Sequence, residues 1–302
     1  MDRLERLFKA INAIVKEETD DLKDELEEFP ALDATLTAIE TYEAKVAGLF
    51  RRQKKHFVDG LKTLIVKDEA ERMSKVADLM LKLYEADDFA DSMADYTEDF
   101  LLDVIEEMVA EIMKSIDEDV AFNTLSSKAV TWINEWSKEL AELMKLTTHN
   151  EIDKVIATVI ENGEGIDKAI TRLKELPEFD RARARTTAIT EVLRANSVAA
   201  HESFVQSPAV TQKVWKHSGS KKNKPREAHV KLSGTTIALD EKFKVNGYDA
   251  LYPRDKELPA AETVYCHCVL GPVVDPDILG LSKEEKERMR DQAIAEYEAG
   301  KK

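Results

Sequence analysis

Apolar residues recur at intervals of three and four along the first half of the chain. In residues 4–17, LERLFKAINAIVKE, they form one stripe of a helix. The same period returns in EAERMSKVADLMLKLYEA, YTEDFLLDVIEEMVAEIMKSI and SSKAVTWINEWSKELAELMKL. Between residues 1 and 160 the only glycines and prolines are Pro30, Gly48 and Gly60, and this scarcity favours long uninterrupted helices.

The pattern changes after Pro177. DRARARTTAITEVLRANSVAAHESFVQ is still helical in period. TQKVWKHS and TTIALDEKFKVN predict strands, and the second is rich in β-branched and apolar residues. We therefore predict an α+β protein that is predominantly α. Its predicted divisions are a long-helix region over 1–178, a small α+β domain with short strands over 179–276, and a charged, solvated tail helix over 277–302.

Composition narrows the class of protein. Hydrophobic residues make up 43% of the 302-residue chain, which is enough for a substantial core. No stretch approaches the roughly 20 apolar residues of a membrane span, and the acid-rich start does not resemble a secretory signal. Two cysteines argue against a disulfide-stapled secreted domain. We expect a soluble protein made in the cytoplasm, without membrane contact.

The net charge of −16 hides two opposed blocks. Residues 85–119 hold 14 acidic residues and one lysine, whereas residues 181–226 hold ten lysines and arginines and two glutamates. Both blocks are typical of solvated faces. In an alternative interpretation the basic block contacts DNA phosphates or an acidic partner, and the candidate contact residues are Lys213, Lys216, Lys221, Lys222, Lys224 and Arg226.

The only two cysteines lie one residue apart, in TVYCHCVL. If this segment is extended, Cys266 and Cys268 point to one face and His267 to the other. Two thiolates on one face can bind a tetrahedral ion such as Zn²⁺, and His229 is the first candidate for a third ligand. The fourth ligand is then His217, Asp255 or water. The alternative is structural: both cysteines are small buried hydrophobes, and His229 makes a loop hydrogen bond.

A family resemblance covers about residues 183–272. The order of TAITEVLRANSVAA, VWKHS, REAHVKLSG, LDEKFKVNG, YPRD and LPAAETVYCHCVL resembles the Mu F-like family of phage minor head proteins, also called head morphogenesis proteins. The matching positions are Thr190, Glu191, Trp215, Arg226, His229, Gly234, Phe243, Gly247, Pro253, Asp255, Cys266 and Cys268. Tyr265 and His267 stand where the family has asparagine and arginine.

The resemblance implies a structural virion protein that acts in head morphogenesis. It implies a place inside the capsid near the portal vertex, after assembly in the host cytoplasm. It also implies contact between the helical region and the portal protein, with scaffold or major capsid protein as further partners. Contact with packaged DNA would be independent of sequence and sensitive to salt.

Two other functions remain open on the sequence. The first is an enzyme, either a metal-dependent hydrolase or nuclease or a Cys-His enzyme built on His229, Cys266 and Cys268. No HExxH motif, phosphate-binding glycine loop or Gly-x-Ser-x-Gly elbow accompanies these residues, so we expect a protein that is not an enzyme. The second is a free-standing DNA-binding module, which the net charge disfavours.

Overall fold

The computed structural model describes residues 21–64, 69–217 and 225–300, with the backbone alone for residues 69–74. The helix predicted over residues 4–17 lies outside this part of the chain. Helices dominate the described residues, and the strands are few, short and antiparallel. The prediction of a predominantly α protein with a small β part is confirmed.

Residues 21–25 are helical, and regular elements then follow along the chain. In order, they are α1 (Leu32–Lys62), α2 (Glu69–Glu85), α3 (Phe89–Ile116), α4 (Ser127–Glu161), α5 (Ile166–Lys174), a 3₁₀ turn (Pro177–Phe179), α6 (Arg181–Gln206), β1 (Val210–Lys216), α7 (Glu227–Leu232), β2 (Thr236–Ala238), β3 (Phe243–Val245), β4 (Tyr248–Ala250), α8 (Ala260–Thr263), β5 (Val269–Val274), α9 (Pro276–Leu279) and α10 (Lys283–Glu298).

The chain divides into two compact units. One, the mixed unit, comprises Met1–Ile39, Asp103–Val130 and Ile189–Lys302; the other, the helical unit, comprises Glu40–Leu102 and Thr131–Ala188. All described strands belong to the mixed unit. The domain boundaries that the sequence suggests, at residues 178 and 276, remain predictions.

Aromatic side chains fill the core of the helical unit. Tyr42, Phe50, Phe57 and Phe89 are buried, and the rings of Phe50 and Phe89 stack with centroids 5.8 Å apart. Their helices carry these residues on apolar stripes, as the sequence period predicts. A buried polar cluster interrupts this core. Asp87 accepts a hydrogen bond from Nε2 of Gln53 at 2.7 Å and pairs with Nε2 of His149 at the same distance.

Two small sheets give the mixed unit its β part. In the first, β1 lies between β2 and β5, antiparallel to both. The second is the β3–β4 hairpin, whose turn residues Asn246 and Gly247 have φ values of 50° and 91°. Such values suit the Asn-Gly turn of a tight hairpin. The prediction of a single strand over residues 235–246 is wrong, because residues 239–242 form a turn that separates β2 from β3.

The last helix is docked through one face. Lys286 of α10 is buried, and its ammonium pairs with Asp117 at 2.9 Å and Asp119 at 2.7 Å. Arg290 donates to the carbonyl of Ala121 at 3.0 Å. The predicted tail helix is therefore solvated on one side only, because Lys286 and Arg290 dock within the mixed unit whereas most of its other charged residues are exposed. Among the described residues, no helix combines the length and apolar character that crossing a membrane requires.

Candidate metal centre

Three metal-binding side chains meet inside the mixed unit. The Nδ1 atom of His229 lies 3.4 Å from Sγ of Cys266 and 3.5 Å from Sγ of Cys268. All three ligand atoms lie within 4.8 Å of one another. Zinc bonds of about 2.3 Å to sulfur and 2.0–2.1 Å to nitrogen, at tetrahedral angles, place such atoms about 3.6 Å apart. The spacing and chemistry of these donors therefore fit a zinc ion.

The backbone around each ligand explains this convergence. His229 lies on the short helix α7, and the two cysteines lie in the segment between α8 and β5. This segment is not the strand that the sequence suggests, since β5 begins at Val269. The predicted division of faces nevertheless holds: both sulfurs point to His229, whereas Nδ1 of His267 lies 3.4 Å from the Glu25 carboxylate.

A carboxylate orients the histidine. Nε2 of His229 hydrogen bonds to Oε2 of Glu262 at 2.9 Å, and Oε1 of Glu262 accepts from the Asn246 amide at 2.9 Å. This arrangement leaves Nδ1 to face the two sulfurs. Histidine ligands of metals are commonly fixed in this way, because a carboxylate on the far nitrogen sets the tautomer and increases ligand basicity.

A buried arginine fixes the backbone of both cysteines. Nη1 of Arg254 donates to the carbonyl oxygens of Cys266 at 2.5 Å and Cys268 at 2.9 Å, and Nη2 donates to Ser197 on α6 at 2.6 Å. Arg194 in turn donates to the Arg254 carbonyl and pairs with Glu191 at 3.0 Å. The guanidinium of Arg254 therefore connects helix α6 to the cysteine segment.

The electrostatics favour negative charge on one sulfur. A hydrogen bond with Cys268 lowers the pKa of the Cys266 thiol well below its ordinary value against the effect of burial, and His229 and Arg254 lower it further. The same shared hydrogen bond, together with burial, raises the pKa of the Cys268 thiol. Without a metal, the two sulfurs thus act as one pair that holds a single negative charge. A bound divalent cation favours the loss of both thiol protons, so that both sulfurs are negatively charged.

Two further candidate ligands lie elsewhere. Both carboxylate oxygens of Asp255 accept backbone N–H groups, from Leu251 at 2.7 Å and Glu257 at 3.1 Å. Asp255 therefore caps a turn and does not join the three ligands. The backbone of His217 donates to Ser233 at 3.2 Å, and its side chain is also absent from the cluster. Among the described residues, the protein supplies three ligands.

The positions matched to the family motif surround this cluster. The Thr190 hydroxyl accepts from the backbone N–H of Tyr265 at 3.1 Å, and the Trp215 ring packs edge-on against His229 with centroids 5.5 Å apart. Phe243 packs against Trp215 at 5.3 Å. Gly234 has a φ of 84°, a backbone conformation that residues with a side chain rarely adopt. The remaining matched proline, Pro253, is buried and precedes Arg254.

The candidate DNA-contacting residues are divided between surface and core. Lys216 is exposed, and Arg226 is partly exposed while donating to the carbonyls of Ala261 at 2.5 Å and Val264 at 2.7 Å. Lys213 is buried, and its ammonium donates to the Leu239 carbonyl at 2.6 Å. Lys213 is therefore not available to a phosphate, which corrects the sequence interpretation. Lys221, Lys222 and Lys224 lie outside the described residues.

Sequence reasoning missed the residues that support the ligands. Arg254 lies within the YPRD motif and Glu262 directly precedes TVYCHC, so both occur in segments that the resemblance already marks. Their roles depend on contacts with residues 12 and 33 positions away along the chain. The signal that could have found Arg254 and Glu262 is a charged residue within a motif that is otherwise apolar or turn-forming. Such a residue, if buried, needs a hydrogen-bond or ionic partner inside the fold.

Comparisons with known proteins place the chain in a family. The model of the family described as "Phage Mu protein F like protein" matches residues 150–271. An uncharacterized protein, YqbB of Bacillus subtilis (strain 168), is 45% identical over 305 residues, which cover 99% of this chain and 100% of that protein. No solved structure gives a significant match.

Two more distant relatives match parts of the chain. Minor head protein GP7 of Bacillus phage SPP1 is 29% identical over 143 residues, 46% of this chain and 46% of that protein. NAD(+)–arginine ADP-ribosyltransferase EFV of Enterococcus faecalis (strain ATCC 700802 / V583) is 24% identical over 190 residues, 62% of this chain and 37% of that protein. The family match contains the whole His229–Cys266–Cys268 cluster. The chain belongs to the family of Phage Mu protein F like proteins.

Proposed function

We propose that this protein is a minor head protein of a bacteriophage, acting in head morphogenesis, with a zinc-stabilised C-terminal lobe. The family match and the similarity to a phage minor head protein support the head assignment. The observation that carries the proposal is the buried cluster of His229, Cys266 and Cys268, which lies at the end of the family motif. In this role the cluster acts as a structural clasp.

Charge balance supports a divalent ion at this cluster. Two thiolates neutralise one divalent cation, and the neighbouring Glu262 carboxylate and Arg254 guanidinium carry opposite charges. The buried group as a whole is then neutral, which low-dielectric surroundings favour. Two sulfurs and one imidazole nitrogen are a donor set that suits zinc. Structural zinc sites usually have four protein ligands, whereas three protein ligands leave one position to water, so the structural role proposed here rests on the burial of the ligands. Bound zinc would link α7 to the segment before β5.

Burial disfavours the alternative of an enzyme built on the same residues. Only 2% of His229, 2% of Cys266 and 3% of Cys268 is exposed, so a substrate cannot reach either sulfur without opening the fold. A nucleophilic cysteine needs an accessible, electropositive setting. A structural clasp needs the opposite, namely ligands shielded from solvent. The ADP-ribosyltransferase similarity covers 37% of that enzyme and carries no assignment for this chain.

Partner contacts extend the proposal. The long helices of the helical unit offer surfaces for the portal protein, and for scaffold or major capsid protein, inside the capsid near the portal vertex. Lys216 and Arg226 offer positive charge to packaged DNA. These contacts would form after synthesis in the host cytoplasm, when the head assembles.

Metal analysis tests the zinc clasp. The purified full-length protein should contain about one zinc per chain by inductively coupled plasma mass spectrometry. Cys268→Ser should lose the metal and melt at lower temperature, whereas Lys242→Ala, on an exposed residue outside the cluster, should keep both properties. A metal-free wild-type protein with unchanged melting after chelation would exclude the clasp.

The head assignment needs a separate measurement. The protein should be found by mass spectrometry in purified heads of the phage or prophage that encodes it. It should also co-purify with the portal protein when the two are co-expressed. Heads that assemble normally without it, and a portal protein that never retains it, would contradict the assignment.

A further inference from the structure

A cavity of about 280 Å³ lies within the mixed unit, and none of its lining residues belongs to the metal cluster. Its apolar walls are Val205 of α6, Leu239 of the turn between β2 and β3, and Leu251, which follows β4. The rings of His201 on α6 and Tyr297 on α10 also line it. An apolar cavity of about 150 Å³ accepts benzene, so this cavity has room for a bicyclic ring.

A buried imidazole lines this cavity. Only 6% of His201 is exposed, and its Nδ1 has no hydrogen-bond partner among the described residues. Burial, helped by the charges of Lys213 and Lys128, lowers its pKa to about 3, so the ring is neutral at pH 7 and offers one N–H donor and one acceptor nitrogen. Buried polar groups in native proteins are normally paired with protein, water or a ligand, because an unpaired group is destabilising. A ligand that hydrogen bonds to this ring would supply the missing partner.

Hydrogen bonds fix the elements around the cavity. Glu202 of α6 and Glu298 of α10 accept backbone N–H groups at the start of α4, at 2.7 and 2.6 Å. The Lys213 ammonium donates to the Leu239 carbonyl at 2.6 Å, which ties the turn between β2 and β3 to β1. The cavity is therefore formed before any ligand arrives, as small-molecule sites usually are.

The polar lining favours an aromatic ligand without net charge. Lys128 and Lys242 are exposed at the cavity, and Asp240, which also lines it, offsets part of their charge. The Lys128 ammonium lies 3.9 Å from the centroid of the Tyr297 ring, which is the geometry of a cation–π contact. Lysines at a cavity can cover the face of a bound ring in the same way, and indole is the best natural ring for this contact. The rings of Tyr297 and His201, edge-on with centroids 6.4 Å apart, offer further aromatic contacts.

We infer that this cavity binds an uncharged planar aromatic group of the indole type, whose ring N–H hydrogen bonds to the His201 imidazole. Such a group occurs in free small molecules and in the tryptophan side chains of partner proteins, and the experiment below separates these two sources. The inference goes beyond the proposed function. Because the cavity shares no residue with the cluster of His229, Cys266 and Cys268, it does not depend on the zinc clasp.

Isothermal titration calorimetry of the purified full-length protein tests the inference with indole as the probe. Indole should bind with a Kd of about 0.1–1 mM, as expected for a small bicyclic ligand. Benzofuran has the same shape but an oxygen in place of the N–H, so it should bind about five- to tenfold more weakly. In His201→Phe the two probes should bind with similar affinity, because the variant keeps an aromatic ring and removes the hydrogen bond.

A cavity-filling variant and a matched control locate the site. Leu251→Trp places a large ring at the cavity wall and should abolish indole binding. Leu281→Trp adds the same ring at an exposed leucine that does not line the cavity, and it should leave indole binding unchanged. The comparison of indole with benzofuran in His201→Phe is a second test that does not require Leu251→Trp to fold.

The source of the ligand follows from a second probe, N-acetyl-L-tryptophanamide. Tighter binding of this probe than of indole would support a tryptophan side chain of a partner protein, and the reverse order would support a free small molecule. Absence of saturable binding for both probes would overturn the inference. Equal affinity of wild-type protein for indole and benzofuran would overturn the hydrogen bond to His201, and equal indole affinity of Leu251→Trp and Leu281→Trp would overturn the location. Zinc content measured on the same samples records the fate of the clasp separately.

Discussion

The Arg254 guanidinium donates to the Cys266 carbonyl at 2.5 Å from a position with no solvent exposure. The same nitrogen reaches the Cys268 carbonyl, so one side chain holds both peptide groups that orient the sulfurs. Burial lowers the pKa of this guanidinium, and the neighbouring cysteines act in the opposite direction. Arg254 therefore stabilises the ligand geometry through the backbone carbonyls of both cysteines.

Replacing Arg254 tests this relationship. Arg254→Met removes three buried hydrogen bonds and leaves two carbonyls unsatisfied, so the free energy of unfolding should fall by about 2–4 kcal/mol. Urea denaturation measures the loss. Arg226→Met is a matched control, because that arginine also donates to two carbonyls but at the surface, and it should cost about 1 kcal/mol or less. Equal losses in both variants would contradict a special role for Arg254.

Backbone strain just before the first cysteine leads to a stabilising substitution. Tyr265 has a φ of 55°, in the left-handed region where most side chains are disfavoured and asparagine is tolerated. The resembling family has asparagine at this position. Tyr265→Asn should therefore raise the free energy of unfolding by about 1 kcal/mol, measured by urea denaturation. Tyr265→Phe keeps the strain and should give no gain. A loss in the asparagine variant would show that contact between the Tyr265 and His267 rings, 4.9 Å apart, outweighs the strain.

A buried histidine away from the cluster gives the protein acid sensitivity. Burial, helped by the charges of Lys213 and Lys128, lowers the pKa of His201 to about 3, whereas the unfolded chain titrates near pH 6.5. Between these values the unfolded state binds the extra proton, so stability falls as the pH drops below 6.5. The contribution is about 1.4 kcal/mol per pH unit at most.

His201→Phe should remove this contribution. The ring would still pack against Tyr252 and Tyr297, whose ring centroids lie 5.6 and 6.4 Å from that of His201. Nδ1 of His201 has no hydrogen-bond partner among the described residues, so the substitution removes no such bond. The free energy of unfolding, followed by chemical denaturation from pH 7 to pH 4, should therefore change less steeply with pH in the variant. Parallel curves for the two proteins would place the acid sensitivity elsewhere.

Two glycines of α1 should respond oppositely to alanine. A Cβ at Gly48 would meet only the Arg51 guanidinium at 3.7 Å, so Gly48→Ala should stabilise the helix by about 1 kcal/mol. A Cβ at Gly60 would meet Cγ of Leu83 at 3.1 Å and both of its methyl groups at closer range. Gly60→Ala should therefore destabilise the protein by about 1–3 kcal/mol. Thermal melting of the pair distinguishes the two effects, and a gain at both sites would mean that Leu83 moves aside freely.

The sequence predicts the candidate metal ligands better than the residues that hold those ligands in position. The spacing of Cys266 and Cys268 restricts both sulfurs to one side of the chain, and the family motif brings His229 to them. Nothing local marks Arg254, because its partners are backbone carbonyls that the tertiary fold brings within reach. Tertiary contacts also explain the error at Lys213, since alternation along β1 does not show that an ammonium will find the Leu239 carbonyl inside the fold.

The long helices, in contrast, can be predicted from helix periodicity because the signal is local. Apolar stripes and the shortage of glycine and proline act within one segment, so α1, α3 and α4 follow from their own residues. The short elements depend on turns and docking. Residues 239–242 split the strand predicted over 235–246. Lys286 of α10 pairs with Asp117 and Asp119, a docking contact that the local pattern of the last helix cannot reveal.

The order of the ligands along the chain has a consequence for biosynthesis. The ribosome makes His229 37 residues before Cys266, a delay of roughly 2–7 s at ordinary rates of translation. During that interval the imidazole has no cysteine to meet, and a chain whose translation stops before Cys266 lacks both sulfurs of the cluster. If zinc binds as proposed, the metal would therefore join α7 to the segment before β5 only after translation has passed Cys268.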